Sequence, residues 1–185
     1  GGTPVLADSM SSQSSHQWEE LTSSVNGTCG FSGGSYHAVM PAVTYLQPCF
    51  AKTPGFRNFA YQVNMIIVNG DEGGIIFRAN EANSTFYLFS IGVNGTYNLY
   101  LYVSSQASQT RMLLSGQSNL ILSGQQSNEI TVIAQGTSLS FYINKQYLNS
   151  IKDSTYTAGM IGVFGENRTQ TTDAAFSNIN VWVLS

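Results

Sequence analysis

The stretch RNFAYQVNMIIVNGDEGGIIFRANEANSTFYLFSIGVNGTYNLYLYV, residues 57–103, decides the fold. It holds four apolar-rich runs of strand length, separated by Asn69 to Gly74, Asn80 to Ser84 and Gly92 to Gly95. The runs are rich in β-branched and aromatic residues, which suit a pleated surface, while Gly and Asn at the breaks tolerate positive φ. Consecutive strands joined by tight breaks pair as antiparallel neighbours, so the reading is a four-stranded meander. Side chains alternate between the faces of a strand. One face then carries Tyr61, Val63, Met65 and Ile67, Ile75 and Phe77, Phe86 and Leu88, and Tyr97, Leu99, Leu101 and Val103. The other carries Gln62, Asn64, Arg78, Asn80, Tyr87, Phe89, Asn98, Tyr100 and Tyr102. The first set reads as core. The second mixes amides, rings and one guanidinium, an unusual solvent face.

Outward from this block the chain continues as short strands. Val5 to Asp8, Thr28 to Phe31, Ser35 to Met40 and Thr44 to Phe50 precede it, with a turn at Gly33-Gly34. Arg111 to Leu114, Glu129 to Gln135, Leu139 to Asn144, Gln146 to Ile151, Met160 to Phe164 and Ala174 to Val183 follow it. No segment has a helical apolar period with caps. Many short strands without a fixed repeat mean an all-β, two-sheet antiparallel sandwich. Residues 1–26 read as an N-terminal segment whose short strand and Trp18 pack on a single domain spanning residues 27–185.

Composition narrows the function classes. Charged residues make up 9% of the 185, the formal net charge is −3, and no basic cluster exists, so nucleic acid is not an expected partner. Polarity carried by hydroxyls and amides suits an extracellular or cell-surface protein. Cys29 and Cys49 are the only cysteines. In an oxidising compartment they form a disulfide; the alternative is two buried free thiols. No run approaches the roughly 18 apolar residues of a membrane helix. Gly1-Gly2 reads as an expression remnant, so an export signal or membrane tether is expected outside these residues. Asn-x-Ser/Thr sequons stand at Asn26, Asn83, Asn94 and Asn167, all in expected turns.

Several phrases together resemble a known family. They are GDEGGIIFR (70–78) followed by FYLF (86–89), then NEITV (128–132), LSFYIN (139–144), GMIGVF (159–164) and AFSNINV (175–181). Their order is similar to the concanavalin A-like jelly rolls of the laminin-G, glucanase and 3-keto-disaccharide hydrolase type, over residues 55–184. With the cysteine pair, the pattern resembles ectodomains of bacterial membrane serine/threonine kinases. The resemblance implies the fold; none of these motifs is specific for a chemistry.

Candidate site residues follow from the polar face. Arg78 is its only charge, and a planar guanidinium suits a sugar hydroxyl or carboxylate, with Asn64, Asn98 and His37 as further polar groups and Tyr87, Tyr100 and Tyr102 as stacking rings. The opposing reading makes Arg78 a structural tie to a carboxylate or backbone carbonyl. Calcium is possible at the turn acids Asp71, Glu72, Asp153 and Asp173, although no dense oxygen-ligand loop is present and no other cofactor is expected. A glycosidase needs two carboxyls about 5–10 Å apart, and the glucanase run Glu-x-Asp-x-x-Glu is absent. Glu72 and Glu81 lie roughly 30 Å apart along one strand at about 3.3 Å per residue. Nor does the sequence show a Ser/His/Asp assembly among its two histidines, so enzymatic activity is not expected. The expected function is a non-catalytic binding or sensing module for carbohydrate or another small polar ligand. The alternatives are a structural or adhesion domain and a divergent glycoside hydrolase.

Overall fold

The computed structural model describes residues 2–22, 26–41 and 46–185. Thr44, placed above in a strand, lies outside the described residues. The strands are β1 (Leu6–Asp8), β2 (Thr28–Ser32), β3 (Ser35–Met40), β4 (Leu46–Phe50), β5 (Phe59–Asn69), β6 (Glu72–Asn80), β7 (Thr85–Gly92), β8 (Thr96–Tyr102), β9 (Arg111–Gln117), β10 (Asn128–Gln135), β11 (Ser138–Ile143), β12 (Gln146–Lys152), β13 (Met160–Glu166) and β14 (Thr172–Val183). Short 3-10 turns at Glu81–Asn83 and Ala107–Gln109 are the only helical pieces among the described residues.

Two antiparallel sheets face each other. One runs β12-β11-β10-β5-β14-β3-β2, with β1 also pairing β14; the other runs β4-β13-β6-β7-β8-β9. Between them lies the main core, drawn from alternate positions of both sheets: Tyr61, Val63 and Met65 from β5, Ile75 and Phe77 from β6, Leu99 and Leu101 from β8, Val132 and Phe141 from β10 and β11. Such an interior, built from two inner faces, is the ordinary solution for sheets each apolar on one side.

Two expectations about residues 57–103 are corrected. The four runs do not form one meander, because β5 pairs with β10 and β14 while β6 pairs with β13 and β7. The chain crosses between sheets at Gly70, whose φ of 104° only glycine adopts freely and whose missing Cβ makes room for Thr172. The Asp71 amide donates to Thr172 Oγ1 and holds the crossing. Secondly, β7 presents Tyr87 and Phe89 to the main core and Phe86 and Leu88 to the opposite face. Alternation could not orient this strand, since it is apolar on both sides. The outward set joins Phe50, Ile76, Ala79 and Phe164 in a second apolar cluster on the far side of the six-stranded sheet.

Trp18 is buried, its ring 5.3 Å from that of Tyr36, and bridges to Ala51. Cys29 and Cys49 form a disulfide that joins β2 of one sheet to β4 of the other.

Candidate functional site

The far face of the six-stranded sheet is where polar groups converge. In β6, β7, β8 and β13 the residues that do not enter the main core point here. Register sets Glu72 opposite Glu166, Ser90 opposite Asn98, and Leu88 opposite Tyr100. A cleft of about 780 Å³ opens over one end of this face, walled by Asp71, Glu72, Asn94, Asn98, Tyr100 and Arg168. Beside it lies a second cleft of about 400 Å³ with Leu46, Pro48, Phe86 and Tyr102 on one side and Glu166 and Arg168 on the other.

Arg168 organises both clefts. Its Nε donates to Glu72 Oε1 at 2.8 Å, one guanidinium nitrogen donates to the Tyr100 hydroxyl at 3.3 Å, and Glu166 Oε1 lies 4.0 Å away. Asp71 fixes the loop carrying the arginine: its Oδ2 accepts from the amides of Arg168 (2.6 Å) and Thr169 (2.7 Å), and its Oδ1 from the Thr169 hydroxyl. These donors outweigh burial and hold the Asp71 carboxyl below its usual range. Burial, together with the neighbouring Glu72 carboxyl, pushes Glu166 up to about 8. The floor beyond them is apolar, with Phe86 and Tyr102 stacked at 4.6 Å. Polar donors and acceptors around an aromatic platform form a surface suited to a polyhydroxylated ring.

Of the residues singled out from sequence, Asn98, Tyr100 and Tyr102 stand at these clefts. Four do not. Arg78 has φ 48° at a bulge where the β6–β7 register shifts between Phe77 and Asn80, and the turned backbone sends its side chain under the sheet end. There, only 2% exposed, it donates to the carbonyls of Tyr156 (3.0 Å), Arg57 (2.8 Å) and Gly136 (2.9 Å). It is the structural tie. Tyr87 is in the core; its hydroxyl donates to Asp153, and burial pushes it up to about 12. Asn64 on β5 and His37 on β3 belong to the other sheet.

The calcium candidates Asp71, Asp153 and Asp173 are each engaged by protein donors. Asp71 is saturated by its loop amides, Asp153 accepts from Tyr87 and Thr155, and Asp173 from His37. No group of three or more His, Cys, Asp or Glu that could hold an ion occurs among the described residues.

Sequence reasoning missed Glu166 and Arg168, which the pairing of β13 with β6 brings to Glu72 from a distant part of the chain. It also missed a Ser/His/Asp arrangement. Ser35 Oγ lies 3.1 Å from His37 Nε2, and His37 Nδ1 lies 2.7 Å from Asp173 Oδ1. The only signal was that Ser35 and His37 alternate on one strand; the aspartate arrives from β14.

Comparison with known proteins fits this architecture. Among similar solved structures is the carbohydrate-binding module CBM66 from Bacillus subtilis, at TM-score 0.71 and 14% identity over 89% of this chain and 94% of that one. A Bacillus subtilis protein of unknown function with a galectin-like fold superposes at 0.70 and 14% identity over 97% and 96%. Bacillus licheniformis β-glucanase follows at 0.62 and 10% over 100% and 99%. The fold is a concanavalin A-like jelly roll. Identities this low speak for the fold alone. No family model matches the chain, and no curated protein matches its sequence. Among the described residues no helix is long and apolar enough to cross a membrane.

Proposed function

We propose that this jelly roll is an extracellular module that binds a carbohydrate, or a small polar ligand of similar chemistry, on the far face of its six-stranded sheet, without cleaving it. The observation that carries the reading is the Arg168 network: one guanidinium holding Glu72 and Tyr100, next to Asn98, at the mouth of a ligand-sized cleft. A sugar presents hydroxyls that both donate and accept, and this rim supplies both. Tyr100 and Tyr102 offer ring faces for its apolar side. The likeness in fold to a carbohydrate-binding module and the disulfide support the same reading.

Glycoside cleavage at this face is disfavoured by geometry. Glu72 and Glu166 are direct cross-strand neighbours on one side of Arg168, whereas catalytic carboxyls flank the scissile bond from either side.

Titration calorimetry against a panel of soluble neutral and acidic oligosaccharides tests the reading. Binding to at least one class is expected, weakened about 10-fold or more by Arg168→Ala and by Tyr100→Ala. No binding across the panel, or affinity indifferent to both substitutions in folded protein, overturns it.

A further inference from the structure

We infer that Ser35, His37 and Asp173 form a second, reactive site on the outer face of the eight-stranded sheet: a serine nucleophile that accepts acyl groups from small esters. This inference stands apart from the carbohydrate cleft, which lies on the other sheet.

The three side chains are placed by strand register. On β3, Tyr36, Ala38 and Met40 enter the core, so Ser35 and His37 share the outer face two residues apart. Asp173 of β14 lies opposite Val39 and reaches His37 diagonally. A carboxylate only accepts, so His37 Nδ1 carries the proton it gives to Asp173 at 2.7 Å. Nε2 of the same ring lies 3.1 Å from the Ser35 hydroxyl, within reach of the proton the serine must give up. Nucleophile, base and orienter thus stand within reach in the order such chemistry requires. The Ser32 carbonyl lies 3.1 Å from the same Nε2 and accepts from it once the ring is protonated, which steadies the imidazolium.

The site is also open. The side chains of His37 and Asp173 are 20% and 27% exposed, and Gly33-Gly34 beside Ser35 forms a hairpin tip with empty space around it. A cleft of about 370 Å³ adjoins the imidazole, walled by Leu21, Phe31 and Val39. Its volume, and the apolar side chains among its lining, suit a short acyl chain.

The reaction balances without any further reagent. Ser35 Oγ bonds to the acyl carbon as its proton passes to His37 Nε2. The ester C–O bond then breaks, and that proton leaves with the alcohol. Water next gives a proton to Nε2 and attacks the acyl carbon; Ser35 Oγ departs and takes the proton back. Ester and water become acid and alcohol. Ser35 and His37 are the catalytic residues and Asp173 is a positioning residue. Turnover is expected to be slow, since an open site excludes little water.

The test is covalent. The folded protein is incubated with a fluorophosphonate probe and the adduct is located by peptide mass spectrometry, with p-nitrophenyl acetate hydrolysis followed in parallel. An adduct on Ser35 is expected in folded but not urea-unfolded protein. It should be abolished by Ser35→Ala and slowed about 100-fold by His37→Gln. Asp173→Asn should slow labelling, and Asp173→Glu should restore part of the rate, which a role in stability alone would not produce. Absence of a Ser35 adduct overturns the proposal, as does labelling that folded His37→Gln protein retains undiminished.

Discussion

Arg78 shows how one side chain is diverted from surface to scaffold. Its guanidinium joins three carbonyls from the segment before β5, the β10–β11 turn and the loop after β12, so it ties together the end of the sandwich. Burial lowers its affinity for the proton, yet a guanidinium stays charged in proteins. Truncation leaves the carbonyls of Tyr156, Arg57 and Gly136 without this donor. Arg78→Ala is therefore expected to lower unfolding free energy by about 3 kcal/mol, while sparing glycan affinity at the far-face cleft. Urea unfolding and calorimetry of the same variant check both parts. Glu166 gives a second residue-level outcome. Its carboxyl titrates near 4.5 in the unfolded chain and at about 8 when folded, so the native state binds more protons between those values. Its stabilising contribution is thus full below about pH 4.5 and is lost as pH rises through 8. Glu19, raised to about 7 by burial and the adjacent Glu81, acts in the same direction. The thermal midpoint should fall from pH 5 to pH 8, and Glu166→Gln should flatten part of that slope; a midpoint that rises across this window contradicts the assignment.

At the scale of elements, legibility depended on how one-sided each strand is. β8 alternates Tyr97, Leu99 and Leu101 against Asn98, Tyr100 and Tyr102, and its faces follow from the sequence. The β10–β11 hairpin pairs Gln135 with Ser138 across Gly136-Thr137 as its turn residues imply. The turn after β11 has Asn144 and Lys145 both at positive φ. Asn144 also ties it down, its Oδ1 accepting from the Glu129 amide and its Nδ2 donating to Leu120 O. β7 was different. With Phe86 and Leu88 buried on one face and Tyr87 and Phe89 on the other, its pattern carries no information about direction. β6 is similarly covered on both sides: Gly74 sits where a Cβ would meet the Phe89 carbonyl oxygen, so small residues there permit close strand approach.

Across the whole molecule, the disulfide cross-links the two sheets. It closes a loop over a sequence separation of 20 residues between β2 and β4. In the chain-entropy model such a loop contributes about 3 kcal/mol through the unfolded state. Reduction, or paired Cys29→Ala and Cys49→Ala substitution, should lower denaturant stability by about that amount and leave the strand content unchanged by circular dichroism. A protein as stable reduced as oxidised would show that packing alone joins the layers there.

What the sequence determined by itself is local: strands, turns, the lack of a helical apolar period, and hence two stacked sheets. Those follow from side-chain alternation and from the φ preferences of Gly and Asn, which act over a few residues. Only the tertiary structure decided that β5 belongs to a different sheet from β6, that Arg78 turns inward, and that Arg168 meets Glu72 and Asp173 meets His37. Those pairings depend on which distant strand supplies the hydrogen-bonding edge, and edges look alike in sequence because backbone amides and carbonyls carry no residue identity.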